Sequence, residues 1–196
     1  MKIDRKLNLV MPVQTESHGI VHVHSVAISR EVFEQFYLEL GKVFSQCFDS
    51  VNESHLVLSA PQLAYPALKS IAVKSGTWTN ADGTGGVKFG LVNEIVRNTS
   101  VLINGAKGWE NMPLDIAVKR GMLDEDEEAE VLSSLVFFTV ICKVAPKELR
   151  TSFMEMSASM RNWVLTSLDS MAYKNSLQTS TKEGVSGSPI ASLAIS

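Results

Sequence analysis

Cysteine is almost absent from this chain of 196 residues: only Cys47 and Cys142 occur, far apart and each inside an apolar helical pattern. Two such thiols build no disulfide framework, and they read as reduced core residues suited to an intracellular setting. Long apolar runs are also missing. The best stretch, Leu135 to Ile141, falls far below the roughly 20 residues that span a bilayer. The first residues, MKIDRKLNLVMPV, lack the apolar core and small-residue cleavage site of a signal peptide. A soluble protein with no membrane partner is expected. Nor is there a basic stripe, since Lys and Arg are scattered singly and the formal charge is −3 with a pI near 5.8. Nucleic-acid binders usually carry such a stripe, so no nucleic-acid partner is expected.

The motifs of catalysis are lacking too. Ser100, Ser133 and Ser134 sit in no G-x-S-x-G context, and neither cysteine stands beside a histidine in a nucleophile signature. The loop DGTGG, Asp82 to Gly86, precedes a helical pattern as a phosphate cradle would. It has no Lys-Ser/Thr and follows no strand with G-x-G-x-x-G spacing, so it reads as a glycine-rich turn. The acidic run from Asp124 to Glu128 offers carboxylates, but all five crowd a helix start, where the dipole and water stabilise them. His22 and His24 lie two apart on a strand and face one side. A metal would need further ligands, yet His18 is in a turn and His55 belongs to another segment. A polar strand face is the simpler reading. No catalytic residue, cofactor or metal is expected, and the chain does not read as an enzyme.

What the chain does contain is regular patterning. Leu7, Leu9, Met11 and Val13 alternate, QTESHG forms a turn, and Ile20 to Ile28 alternates again, predicting a β-hairpin. Pro12 cannot donate to a ladder, so the first strand is expected at an edge. Ser29 caps a helix whose stripe is Phe33, Phe36, Tyr37, Leu40, Phe44, Cys47 and Phe48. A second helix is predicted over Gln62 to Lys74, with Leu63, Leu68, Ile71 and Ala72 facing inward. A third covers Lys88 to Arg97, and a short one runs from Pro113 to Gly121. Asp124 and Glu127 have capping-box spacing and open an apolar helix to about Lys143. Pro146 starts a last helical region through Met160 or Leu168.

From Lys174 the sequence KNSLQTSTKEGVSGSPIASLAIS has almost nothing with which to build a core. The expected fold class is mainly α (α+β). An N-terminal hairpin (1–29) packs on a body of about six helices (30–173), with a flexible C-terminal tail (174–196).

A helix apolar on every side must be buried within its domain or against another chain. Leu135, Phe137, Phe138 and Ile141, with Phe153 and Met154 of the next helix, are therefore the candidate protein-interaction residues, and a homo-oligomer is expected. Met154, Met156 and Met160 either fill core gaps or form an adaptable groove for apolar partners.

Three stretches carry a family resemblance: RKLNLVMPV, turn, VHVHSVAISREVFEQFYLEL; GWENMPLDIAVKRGMLDEDEEAEVLSSLVFFTV; and TSLDSMAYKNSLQTSTKEG. Together they resemble the tail assembly chaperones of long-tailed (siphovirus-type) bacteriophages, although no stretch is a catalytic or ligand motif. The resemblance implies a mostly helical, self-associating protein that coats the tape measure protein until tail tube subunits polymerise around it. It also implies a longer form made by ribosomal frameshifting, which recruits the major tail protein, and a place in the host bacterial cytoplasm rather than the mature virion. At 196 residues the chain is long for such a short form. A structural tail component, such as a terminator or connector, and a phage-encoded inhibitor of a host protein are the alternatives.

Overall fold

A computed structural model describes residues 7–48, 54–105 and 108–183. The hairpin forms as its alternation predicts: β1 (Asn8–Thr15) pairs antiparallel with β2 (Gly19–Val26), in register from Asn8 opposite Val26 to Thr15 opposite Gly19. At the turn the Thr15 hydroxyl donates to the Gly19 carbonyl at 3.0 Å and accepts the His18 N–H at 3.1 Å. Gly19 takes φ +66°, a backbone conformation that glycine adopts at little steric cost.

The hairpin is not an appendage. It forms the middle of a five-stranded antiparallel sheet that also contains β3 (Thr99–Gly105), β4 (Gly108–Pro113) and β5 (Val164–Thr166), in the order β4-β3-β2-β1-β5. The expectation that β1 lies at an edge is thus corrected for its first three residues. β5 covers only Asn8 to Val10, and Pro12 sits just beyond its reach, where a missing N–H breaks no ladder.

The helical segments match the predicted caps more closely than the predicted lengths. Ser29 accepts the Val32 N–H at 3.3 Å and opens α1 (Arg30–Gln35). Phe36 then leaves the helical region (φ −118°, ψ 22°), so the expected single aromatic helix is two, with α2 spanning Tyr37–Phe48. That break changes the phase of the stripe. Phe36, Leu40, Cys47 and Phe48 are buried, whereas Tyr37 points outward.

Next comes α3 (Ser54–Lys74), which contains Pro61 and Pro66 and ends at Gly76 (φ +69°). There the Gly76 N–H donates to the Val73 carbonyl and the Thr77 N–H to that of Ala72, a Schellman closure. A π-helical turn, Val87–Val92, leads into α4 (Asn93–Arg97). In that turn Gly90 lies directly under the Phe36 ring, a position with no room for a Cβ. α5 (Leu114–Lys119) starts after Pro113, and Gly121 closes it.

α6 (Glu125–Lys143) has the predicted capping box. The Glu127 N–H donates to Asp124 at 2.7 Å, and the Asp124 N–H donates to Glu127 at 2.8 Å. Such a cap contributes about 1 kcal/mol. α6 is the central helix, with α2, α3, α4, α7 (Lys147–Arg161) and β1 packed around it. All its residues from Val131 to Cys142 are buried, which is why its sequence shows no polar face.

The sheet has two unlike faces. Leu9, Met11, Val21, Val23, Val101 and Ile103 join the helices in the main core. The registers place Asn8, Val10, His22, His24, Leu102, Trp109 and Asn111 on the opposite face. Val10 and Leu102 are fully buried there yet stand apart from that core.

Against this face, on β3 and β4, packs α8 (Ser170–Glu183), which corrects a second expectation: the chain does not dissolve at Lys174 but continues as helix to Glu183. Residues 184–196 of the expected tail lie outside the described residues, as do residues 1–6 of the expected N-terminal unit. Among the described residues no helix is long and apolar enough to cross a membrane.

Candidate functional site

The predicted interaction residues can be placed first. Phe137 and Phe138 are each 1% exposed, and Leu135, Ile141 and Met154 are fully buried. Phe153 is half-buried, with its ring 4.8 Å from that of Phe48. The chain's own elements cover these side chains, so they offer a partner little or no surface, and α6 gives no reason for a second copy.

Exposed apolar side chains lie on several elements, and one group of them runs along the outer side of α2 and α3. A shallow groove of about 840 Å³ is lined by Tyr37, Leu38, Gly41, Lys42, Ser45, Gln46 and Ile71. A hollow of about 440 Å³ adjoins it at Gln46, lined by Cys47, Ala60, Leu63, Pro66, Ala67 and Ser70. The lining positions recur at three and four residues on both helices, as expected for one face of each. Tyr37 is 54% exposed, Leu38 56% and Leu63 49%. Together these side chains form a modest apolar patch that another protein could cover.

Lys42, Lys69 and Lys74 are exposed along these helices, in a chain whose net charge is negative. Sequence reasoning turned Leu63 and Tyr37 inward because each fits a helical stripe. The break at Phe36 turns Tyr37 outward, and in α3 the buried stripe is Ala60, Ala64, Ala67, Leu68 and Ala72, which leaves Leu63 outside it.

The other candidate chemistry resolves into structure. Just after the Asp82 to Gly86 loop, the first N–H groups of the helical turn are already taken. Val87 donates to the Thr77 carbonyl at 2.9 Å and Lys88 to the Trp78 carbonyl at 3.0 Å. Gly86 (φ +72°) packs so closely on those carbonyls that a Cβ would lie 2.8 Å from each. Among the described residues no group of His, Cys, Asp and Glu could hold a metal ion. His22 and His24 do share a face, as their spacing predicts. His24 is buried and its Nε2 lies 2.9 Å from the Leu168 carbonyl, while His22 packs 5.2 Å from the Trp109 ring.

Both cysteines are buried and unpaired. Burial pushes the Cys47 thiol up to about 11 and the Cys142 thiol up to about 12, the latter against weaker opposing pulls from Arg150 and Lys143. The thiolate is the reactive form. In the folded protein both groups are therefore expected to resist a thiol reagent at about pH 8 and to react at once in denaturant. Fast labelling of either cysteine under native conditions would contradict this burial.

No family model, curated protein or solved structure matches this chain.

Proposed function

We propose that this protein is a tail assembly chaperone of a long-tailed bacteriophage, acting by binding and not by catalysis. The observation that carries the reading is the exposed apolar groove between α2 and α3, with Tyr37, Leu38 and Leu63 open to solvent. Its rows of side chains at helical spacing suit an amphipathic helix laid along it, as in helix-in-groove recognition. A tape measure protein is rich in such helices and needs its apolar faces masked until the tail tube encloses them. The three stretches that resemble the chaperone family span both the hairpin and the central helix α6.

On this reading a longer frameshifted form would continue beyond α8 and recruit the major tail protein. Self-association follows from the same resemblance. The protein would act in the host cytoplasm and be absent from the finished virion.

The test is co-expression with a tape measure protein, the very long helical protein that this reading places beside its gene. The wild-type chain should keep that protein soluble and co-purify with it. A Leu38→Asp, Leu63→Asp double variant, which alters exposed positions only, should fold normally and lose at least about tenfold in affinity, as expected when central apolar anchors are removed. If the double variant binds as well as wild type, the groove is not the site. If wild type fails to bind at all, the chaperone reading itself fails.

A further inference from the structure

The C-terminal helix α8 sits on a surface chemically unlike the main core. Asn8 donates to the Leu168 carbonyl at 2.8 Å, and Asn111 donates to the Ser170 hydroxyl at 3.2 Å. Tyr173 rests between the two imidazoles, with ring centres 6.1 Å from His22 and 6.4 Å from His24. Four buried polar atoms on this one sheet face have no hydrogen-bond partner among the described residues: Asn8 Oδ1, His22 Nδ1, Trp109 Nε1 and Asn111 Oδ1. A buried polar atom left without a partner is costly, so α8 is held on a seat that offsets part of what its contacts contribute.

The two histidines differ in what protonation does to them. His24 Nε2 faces a carbonyl oxygen, so that nitrogen carries the hydrogen, and the bond survives when the ring becomes charged. His22 has no such arrangement. Its Nδ1 is buried without a partner, and the ring lies between Trp109 and Tyr173.

The titratable groups around it are His24 on the sheet and Tyr173 on α8. Lys174, the next residue on that helix, adds positive charge. Asp169 already accepts the Ala172 N–H at 2.8 Å at the helix start. Among the described residues no carboxylate pairs with either histidine.

We propose that α8 is an acid-releasable strap: His22 must be neutral for the helix to stay seated, and its protonation frees the strap and bares the polar face of the sheet. The sign follows from burial, which holds the His22 imidazole below its ordinary value. The seated state therefore binds fewer protons than the released one. Seating is at full strength above the ordinary histidine value of about 6.5 and weakens as the pH falls below it. This inference is independent of the groove on α2 and α3.

Backbone amide NMR of the full chain, titrated from about pH 7.5 to about pH 5, reads both events at once. The amides of residues 170–177 should move to unstructured positions in step with the His22 ring signal, while those of Val131 to Cys142 stay unchanged. His22→Gln, which cannot take up a proton, should keep α8 seated to about pH 5, moving the release midpoint down by at least about one unit. Tyr173→Ala should release the strap already at about pH 7.5.

If α8 stays ordered while the His22 ring titrates, or if His22→Gln releases it at the wild-type pH, the proposal is overturned. Should His22→Gln fail to fold, the wild-type titration decides alone, because release that does not track the His22 signal refutes the latch.

Discussion

Truncating Phe137 to alanine is expected to lower the unfolding free energy by about 3–5 kcal/mol, the usual range for a large aromatic lost from a close-packed core. Phe137 lies mid-way along α6, with its ring 6.2 Å from that of Phe48 and 6.3 Å from that of Trp163. It thereby bridges α2 and the segment that follows α7. No neighbour can collapse into the space without moving a second helix. Since a domain of this size has about 5–15 kcal/mol of stability in total, the variant should still fold in the cold but unfold well below the wild-type temperature. Phe137→Asp should not fold at all. Urea denaturation at matched temperature measures the difference. A loss under about 1 kcal/mol would mean that α6 is not the centre of this core.

The second large effect is expected at Ser133, a buried hydroxyl with an unusual task. Pro66 has no N–H, so the Gln62 carbonyl one turn earlier in α3 loses its normal helical partner. Ser133 of α6 donates to that carbonyl at 2.7 Å and accepts the Tyr65 N–H at 3.1 Å. One side chain therefore repairs both a donor and an acceptor of the proline-interrupted helix. Ser133→Ala would remove both part-buried bonds, at about 1–3 kcal/mol in sum. Ser134→Ala, one residue on, removes a hydroxyl with no bond to α3 and should cost less than about 1 kcal/mol. The contrast between the two alanine variants, read by the same denaturation, separates the repair from any general effect of substitution in α6. Equal effects would show that the proline break is tolerated without help.

The parts of the fold legible in the sequence were those with a local cause. Ser29, the Asp124–Glu127 box, Gly76 and Gly121 marked helix ends correctly because caps and turns are chosen by residues within a few positions of them. The hairpin was legible because period-2 alternation and its turn are contiguous, and the burial of α6 because no face of it is polar.

The second half of the sheet was not legible. β4 reads GWENMP, with Trp109 and Asn111 on one face and Glu110 on the other, and it shows no apolar alternation. β5 has only three residues. Both are strands because β3 and β1 supply ladders from distant parts of the chain.

The same holds for the surfaces that matter for function. Composition and periodicity established a reduced, acidic, helix-rich chain with a hairpin in front and no catalytic motif, because those properties are sums over residues or patterns within one segment. Which apolar residues face solvent depended on a one-residue break at Phe36 and on a stripe of small residues in α3, Ala60, Ala64, Ala67 and Ala72, that is chosen only when the helices pack. That the polar segment after Asp169 is a helix depended on a sheet face built from Asn8, His22, His24 and Asn111, far away in the chain. A sequence too polar to form a core of its own becomes ordered when the rest of the molecule provides the partners for its polar groups.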